Sequence, residues 1–288
     1  MTDHISAPAM RARTSHAVPD PVPDCSDALF AEILLNDRID LAAGLPMTIG
    51  LDFTTTQLEL CFRASSRLWH HQLERVALVH MTRTLRKTGD ISADDRLRFK
   101  HERARFKHLR FAFAIFGVRH RYPPVLDAIT SVMGNVQDAF KNERHVSVRR
   151  NALLLQALLH AGPVALVARE IDRFRPASPE SFRCYLARQA NGIAAFLEQD
   201  RVTAQSFHDT RKIVSRFRAG FATLKTLYPD PDIASVADFV ATINGLMGNY
   251  HDDLMSAHLR GHLDYHRDPI ILQDDIRHRL QSLALAMH

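Results

Sequence analysis

The chain has 288 residues, of which 46% are hydrophobic and 24% charged, and a formal net charge of +5 that leaves 17 histidines uncounted. This composition is typical of a globular protein with its own core and excludes a collagen-like or wholly disordered chain. The three cysteines lie far apart without metal-ligand spacing, which argues against a disulfide framework or structural zinc and suits a reducing compartment. No apolar stretch has the length of a membrane span and no signal-peptide pattern is present, so we expect a cytoplasmic protein without a membrane partner.

Apolar periodicity predicts helices along most of the chain after an N-terminal tail, residues 1–25, that contains several prolines and is expected to be disordered. A short helix is expected at about 27–36, and a long one at about 54–87 that Thr54 caps and Gly89 ends. Further helices are predicted at about 92–118, 124–134, 147–159, 163–174, 180–200, 203–227, 233–247, 252–265 and 270–286. Because no strand or hairpin pattern occurs, the sequence predicts an all-α fold, most simply two helical bundles.

Two predicted helices, 92–118 and 203–227, carry polar and cationic side chains along one face, and we call them the first and second basic helices. At about 100° per residue, the first groups four cations within a sector of roughly 80°: Lys100, Arg103, Lys107 and Arg110. The second places in the same sector His208, Arg211, Ser215 and Arg218. Phenylalanine and aliphatic residues occupy the opposite side of both helices, which is therefore expected to face the core.

Each basic helix is followed by a second shared pattern, Met-Gly-Asn-x-x-Asp. It occurs at 133–138 and again at 247–252, so basic helix and pattern recur in the same order about 110 residues apart. This recurrence predicts an internal duplication, in which two related basic helices face each other across a pseudo-two-fold axis and line one site. Glycine is favoured just past a helix end, so Gly134 and Gly248 are expected to terminate their helices.

The order of these signals resembles the CHAD family of histidine-bearing α-helical domains, over roughly residues 54–288. In that family each half carries His-x-x-Arg-x-x-x-Arg-Arg-x-Arg, followed later by Leu-Gly-x-x-x-Asp. The second half of this chain matches at His208, Arg211, Arg216, Arg218, Gly248 and Asp252. The first half matches at Arg103, Lys107, Arg110, Gly134 and Asp138, with Lys100 at the histidine position, His101 beside it, and His108 in place of an arginine.

The resemblance implies a single domain over 26–288, made of two pseudo-symmetric four-helix bundles at about 54–145 and 146–288. It also implies a basic channel between the bundles that binds inorganic polyphosphate, with no catalytic residue, metal or cofactor. The expected contacts are Lys100, His101, Arg103, Lys107, His108, Arg110, His208, Arg211, Lys212, Arg216 and Arg218, with Arg63, Arg67 and His71 as further contributors.

The residues themselves also favour an extended polyanion as the ligand. A row of cations at helical spacing meets successive phosphates, forked arginines bind their oxygens in pairs, and released counterions make affinity depend on salt. Histidines beside a polyanion gain protons near neutral pH, so binding through His101, His108 and His208 is expected to tighten towards pH 6. The alternative for these faces is solvation, or ion pairs of a structural kind with Glu102, Asp138 and Asp252.

Three other functions stay open at this point. His208-Asp209 and His251-Asp252-Asp253, with Asp274 or Asp275, are the doublets that a metal-dependent phosphohydrolase of the HD type would use. The basic faces are also compatible with weak nucleic-acid binding, although aromatic residues do not alternate with the arginines in a stacking pattern. A protein partner that links the chain to polyphosphate or storage granules is a third possibility.

Overall fold

A computed structural model describes residues 24–35, 38–70 and 73–287; the predicted tail lies almost wholly outside these ranges. The described residues form eleven helices and no strand, so the predicted all-α fold class is confirmed. The helices are α1 (Ser26–Leu34), α2 (Thr55–His70), α3 (Arg75–Thr88), α4 (Ala93–Phe116), α5 (Pro124–Lys141), α6 (His145–Leu158), α7 (Ala161–Asp172), α8 (Pro179–Leu197), α9 (Ala204–Leu227), α10 (Pro231–Leu259) and α11 (Asp274–Ala286).

The two basic helices are α4 and α9, and each begins at a hydroxyl cap. The Ser92 side chain accepts from the Asp95 amide at 3.2 Å, and Thr203 forms a reciprocal capping box with Ser206. Such caps stabilise a helix by about 1 kcal/mol because they satisfy amides that have no partner within the helix. Both helices are 24 residues long, so each presents more than six turns of one cationic and one apolar face.

The predicted long helix at 54–87 is wrong in one respect, because α2 ends at His70 and α3 begins at Arg75. The spacing of apolar residues continues across the break, so periodicity alone did not reveal it. The ends of this region were predicted correctly. Thr54 and Gln57 form a reciprocal cap at the start of α2, and Gly89 ends α3 with a φ of 80°.

The predicted helix ends at Gly134 and Gly248 are wrong. Both glycines lie inside helices, since α5 continues to Lys141 and α10 continues to Leu259. A glycine inside a helix costs about 1 kcal/mol relative to alanine, which neighbouring contacts can offset. The predicted helices at 233–247 and 252–265 are therefore largely one helix, and the Met-Gly-Asn-x-x-Asp segments lie on helical faces rather than in loops.

The core is organised around α4 and α9, which pack against each other near the middle of the molecule. Their apolar faces are buried, with Phe106 and Phe221 only 1% and 2% exposed. Burying one such ring contributes roughly 2–3 kcal/mol, which is why these faces turn inward. The helix that follows each basic helix packs on it: α5 on α4 and α10 on α9. The first helix, α1, lies over α2, α4 and α9.

The helices α6 and α7 pack with the first part of the chain, although a second repeat was expected to begin near residue 146. The former contacts α3 and α5, and the latter contacts α5. The expected boundary at 146 therefore does not coincide with a division in the packing, and the internal duplication stays a prediction. No single helix within the described ranges is long and apolar enough to cross a membrane; only α6 and α7 taken together, across a 62° bend, meet those two criteria.

Candidate functional site

A cleft lies between α4 and α9, and we call it the basic cleft. It consists of two adjoining cavities of about 170 Å³ and 340 Å³ that share the side chains of Arg103, Lys107, Phe111, Arg211 and Ser215. All eight residues that the sequence placed in the two narrow sectors line one cavity or both. The helical spacing therefore predicted correctly which faces of the two basic helices meet.

The lining of the basic cleft is strongly cationic. Among the described residues that line it, seven are cations: Lys100, Arg103, Lys107, Arg110, Arg211, Lys212 and Arg218. A single carboxylate, that of Asp138, faces them. Like charges held in a concave site with low-dielectric walls focus a positive potential, which attracts anions into the cleft.

Two arginines at the centre of the cleft lie directly against the glycines that follow them in the repeated pattern. A β-carbon added to Gly134 would be 3.1 Å from Arg103 Nη2, and one added to Gly248 would be 3.0 Å from Arg211 Nη2. Both distances are shorter than ordinary van der Waals contact, so any side chain at either position would displace the guanidinium. Each glycine therefore provides the space in which its arginine lies, on α5 in one case and on α10 in the other.

Arg103 is held in a site that is costly for a charge. Burial lowers the pKa of its guanidinium, and although the charge of Asp138 opposes this, those of Arg110 and Arg211 add to it. Its Nε is buried and has no hydrogen-bond partner among the described residues. Desolvated like charges in one cleft raise the free energy of the unliganded protein, and an entering anion relieves that repulsion.

The carboxylate of Asp138 lies beside Arg103 at the rim of the cleft. Burial has the largest effect on the pKa of this carboxyl and raises it, whereas the nearby charges of Arg103, Arg144 and Lys141 lower it. The equivalent carboxylate, that of Asp252, forms an ion pair with Lys141 from the end of α5. The two repeated segments thus come close to each other, which agrees with the predicted meeting of two halves without demonstrating the duplication.

Other cations of the cleft are partly engaged by neighbours. Arg110 Nη1 donates to Asp127 Oδ1 at 2.7 Å, and its guanidinium lies 4.8 Å from the centre of the Tyr122 ring. Lys212 Nζ donates to Asp209 Oδ1 at 2.8 Å, but both side chains are more than half exposed. An exposed ion pair contributes little to stability, so Lys212 can exchange its partner for a ligand at small cost.

Two predicted contact residues, His108 and Arg218, have structural partners instead. His108 Nε2 lies 3.2 Å from Ser65 Oγ on α2 and 3.1 Å from Thr223 Oγ1 on α9, and burial lowers its pKa to about 3. Arg218 is 1% exposed and donates through Nη2 to the carbonyl oxygen of Glu32 at 2.6 Å and to its carboxylate at 3.3 Å. Both touch the cleft from within the core and hold helices together.

Four other predicted contacts, His101, Arg216, Arg63 and Arg67, do not line the cleft. His101 packs edge-on against Phe30 of α1, with ring centres 5.8 Å apart. Arg216 bonds to Gln189 of α8 and, at 3.1 Å, to the hydroxyl of Tyr122. The further contributors Arg63 and Arg67 lie on α2 and do not line the cleft, with Arg63 bonded to Glu59; His71 lies outside the described residues.

His208 lines the cleft and stacks on His251, with ring centres 4.6 Å apart. Burial, together with nearby cations, lowers the pKa of both rings to about 4. Burial also lowers the pKa of His101, and of the three histidines expected to titrate, His108 and His208 are neutral near pH 6 in the unliganded protein. The predicted tightening of binding towards pH 6 therefore lacks support from the free protein.

The stacked histidines are also the residues that the metal-hydrolase alternative requires. Within the described ranges, no group of three or more His, Cys, Asp or Glu side chains is placed to hold a metal ion. His251 Nε2 instead lies 3.0 Å from the hydroxyl of Tyr265. His208 and His251 are therefore two stacked, neutral imidazoles beside a cationic cleft.

Sequence analysis missed the polar side chains that complete the lining: Thr130, Ser131, Asn135, Gln137 and Asn244. Ser215, which the sequence placed in the sector of the second basic helix, donates to Asn244 Oδ1 at 2.8 Å. Most of these residues lie on α5 at helical spacing around Gly134. A helix predicted to continue through that glycine would have placed them on one face.

Comparisons of the chain with family models, with curated proteins and with solved structures found no match.

Proposed function

We propose that the basic cleft binds an extended inorganic polyanion, for which inorganic polyphosphate is the best candidate, and that it does so without turnover. The observation that carries the proposal is the imbalance of charge: seven cationic side chains and one carboxylate line a concave site between two helices. Forked arginines suit the oxygens of phosphate groups, and Arg103, Arg110 and Arg211 line the cleft in addition to Arg218, whose guanidinium is bonded to Glu32.

The length of the cleft supports a ligand of several linked phosphates. Lys100 and Arg110 are ten residues apart on one helical face, so the row on α4 extends about 15 Å along the helix axis at 1.5 Å per residue. A single phosphate would meet only one or two of these cations. A linear polymer would meet the whole row, with the cations of α9 on the other side.

The scarcity of aromatic side chains supports polyphosphate over single-stranded nucleic acid. Phe111 is the one Phe, Tyr or Trp among the described residues that line the cleft. Proteins that bind single strands stack successive bases on aromatic rings, each worth about 1–3 kcal/mol. A cleft with one ring offers charge but little stacking, so nucleic acid is expected to bind weakly and to be displaced by polyphosphate.

The family resemblance adds to the proposal and brings the cellular setting with it: a cytoplasmic protein that associates with polyphosphate, or with granules that contain it. The three cysteines are free thiols, which agrees with a reducing compartment.

The proposal is tested by titrating the protein with long-chain polyphosphate at several salt concentrations. The decisive variant is Lys107→Ala with Arg211→Ala, because both residues line both cavities of the cleft. The matched control is Arg83→Ala with Arg86→Ala, which removes the same charge from exposed positions on α3 outside the cleft. We expect the cleft variant to weaken binding at least about tenfold and to lower the slope of log affinity against log salt by about two, with the control close to wild type.

Equal losses in the cleft variant and the control would assign the affinity to general surface charge and overturn the proposal. A wild-type protein that binds DNA or RNA more tightly than polyphosphate of the same charge would overturn the choice of ligand.

A further inference from the structure

A second cavity, of about 530 Å³, lies at the end of α4 between two loops, and we call it the loop pocket. One loop joins α4 to α5 and the other joins α7 to α8. The loop pocket shares no lining residue with the basic cleft. Its volume is within the range of about 300–1,000 Å³ found for sites that hold small molecules.

The two loops are fixed to each other by main-chain hydrogen bonds. The Val118 amide donates to the Arg175 carbonyl oxygen at 2.9 Å, and the Ala177 amide donates to the Phe116 carbonyl oxygen at 2.8 Å. His120 anchors the first loop from within, since its ring nitrogens lie 2.9 Å from the Ala114 carbonyl oxygen and 2.9 Å from Ser181 Oγ. The pocket is thus formed before any ligand arrives, which lowers the entropic cost of binding.

Four arginines surround the loop pocket, two from each loop: Arg119, Arg121, Arg173 and Arg175. All four are exposed, and none forms an ion pair with any residue in the described ranges. The side chains of His120 and Phe174, which alternate with the arginines in sequence, are held by hydrogen bonds and ring stacking, whereas the four arginines are exposed at the rim. Four cations around one opening form a receptor for phosphate or carboxylate groups.

The walls of the loop pocket differ from those of the basic cleft because they are aromatic and apolar. The rings of Phe113, Tyr122 and Phe174 contribute, with Pro123 and Pro124 beside them. Phe174 is held by a parallel stack on Phe62, with ring centres 3.4 Å apart, so its position is set by the core. The lining also includes the carboxylate of Glu170, an acceptor for hydroxyl or amino groups and a repellent for phosphate.

We propose that the loop pocket is a second site, separate from the basic cleft, that binds a free nucleotide: an aromatic base against the rings of the wall and a phosphate chain on the arginines of the rim. The apolar wall distinguishes this ligand from inorganic phosphate polymers, which have no surface to bury there. The small size of the pocket favours a free nucleotide over nucleic acid, because a nucleic-acid strand would need cations along a longer path.

The experiment is calorimetric titration of the full chain with ATP, adenosine and inorganic tripolyphosphate, in the wild type and in Lys107→Ala with Arg211→Ala, so that binding of phosphate chains to the basic cleft is separated from binding to the loop pocket. ATP is expected to bind at least about tenfold more tightly than either, because only ATP presents both a ring and a phosphate chain. Arg121→Ala with Arg173→Ala removes one arginine from each loop without changing the residues whose main chain joins the loops. This variant is expected to lose at least about tenfold in ATP affinity, to bind long-chain polyphosphate as wild type does, and to keep its helical content.

The cleft variant Lys107→Ala with Arg211→Ala is the reciprocal control and is expected to retain ATP binding. Because the two variants affect different ligands, failure of this inference is distinguishable from failure of the proposed polyphosphate site. Equal affinity for ATP and tripolyphosphate, loss of ATP binding in the cleft variant instead, or tighter binding of a short oligonucleotide than of ATP would each overturn the inference.

Discussion

The two ends of the basic cleft use the same types of residue for different purposes. At the end beneath α1, Arg218 and His108 are buried and bonded to Glu32, Ser65 and Thr223. At the end beside α5 and α10, Arg103 and Arg211 lie against glycines and line the open space. The sequence assigned all four residues to the ligand, yet Arg218 and His108 are buried beneath neighbouring helices. What lies above a cationic face thus decides whether the charge supports the fold or meets a ligand.

The largest expected effect is the loss of stability when Arg218, whose charge is used within the fold, is replaced. Arg218→Ala removes a buried guanidinium and leaves the Glu32 carbonyl oxygen and carboxylate without their main donor. We expect the free energy of unfolding to fall by about 3–5 kcal/mol, the usual cost of breaking a buried ion pair. Urea denaturation measures this, with Lys212→Ala at an exposed position as the control. A change below about 1 kcal/mol would show that Arg218 is not an anchor.

The next effect is on the pH dependence of stability, and it tests whether His108 is a neutral residue of the core. Its folded pKa of about 3 lies below the unfolded value of about 6.5, so only the unfolded chain gains the proton as pH falls between them. The contribution of His108 to stability is therefore complete above pH 6.5 and decreases by about 1.4 kcal/mol per pH unit below it. His108→Gln is expected to flatten the dependence of unfolding free energy on pH by this amount, in denaturation series from pH 7 to 5.

Wild-type and His108→Gln proteins with parallel dependences on pH would contradict the assignment of His108 as a neutral core residue. His208 and His251, whose pKa values are also lowered, remain in both proteins and contribute equally to the two series.

A smaller and opposite effect is expected from the single carboxylate of the cleft. Asp138→Asn removes the repulsion between this residue and an entering anion, so polyphosphate is expected to bind about three- to fivefold more tightly at low salt. Because burial raises the pKa of Asp138, its charged form is disfavoured in the folded protein, so the neutral asparagine is expected to leave the free energy of unfolding unchanged or to raise it. Titration and urea denaturation of one preparation test both signs, and weaker binding would mean that Asp138 positions Arg103 for the ligand.

The smallest effect concerns the glycines against which the central arginines lie. Gly248→Ala adds a methyl group at 3.0 Å from Arg211 Nη2, so the guanidinium has to move by a few tenths of an ångström. We expect polyphosphate affinity to fall about two- to fivefold, while helix propensity of up to about 1 kcal/mol maintains or raises stability. Gly192→Ala on α8 is the matched control, because its methyl group would contact Ile213 instead of a cleft residue.

Equal affinities of the Gly248→Ala and Gly192→Ala proteins would show that the position of Arg211 is not restricted by the glycine.

Sequence periodicity was sufficient for the parts of the molecule that depend on one helix at a time. It predicted the all-α class, the cap at Thr54, the helix end at Gly89, and the faces of α4 and α9 that line the cleft, because helical spacing fixes the direction of each side chain. It could not predict what covers those faces. Arg218 and Glu32 are 186 residues apart, and nothing local to either position indicates their contact.

Gly134 and Gly248 also show that a rule based on local sequence does not predict tertiary packing. A local rule placed helix ends at Gly134 and Gly248, whereas tertiary packing with Arg103 and Arg211 gives each glycine a role within a helix. The misplaced helix end in turn concealed Asn135 and Gln137, two uncharged polar residues of the lining that follow Gly134 on α5. The loop pocket was missed because its arginines occur in two loops that are far apart in sequence and joined only by tertiary hydrogen bonds.

The position of α1 over α9 has a consequence for how the chain folds during its synthesis. Leu29 and Ile33 are made before the helix that completes their burial, which follows about 180 residues later. At about 5–20 residues per second, the ribosome needs on the order of ten to forty seconds to supply Arg218, the partner of Glu32. During that interval α1 remains an apolar segment without its final docking site, and it is therefore the part of the nascent chain that chaperones are expected to recognise.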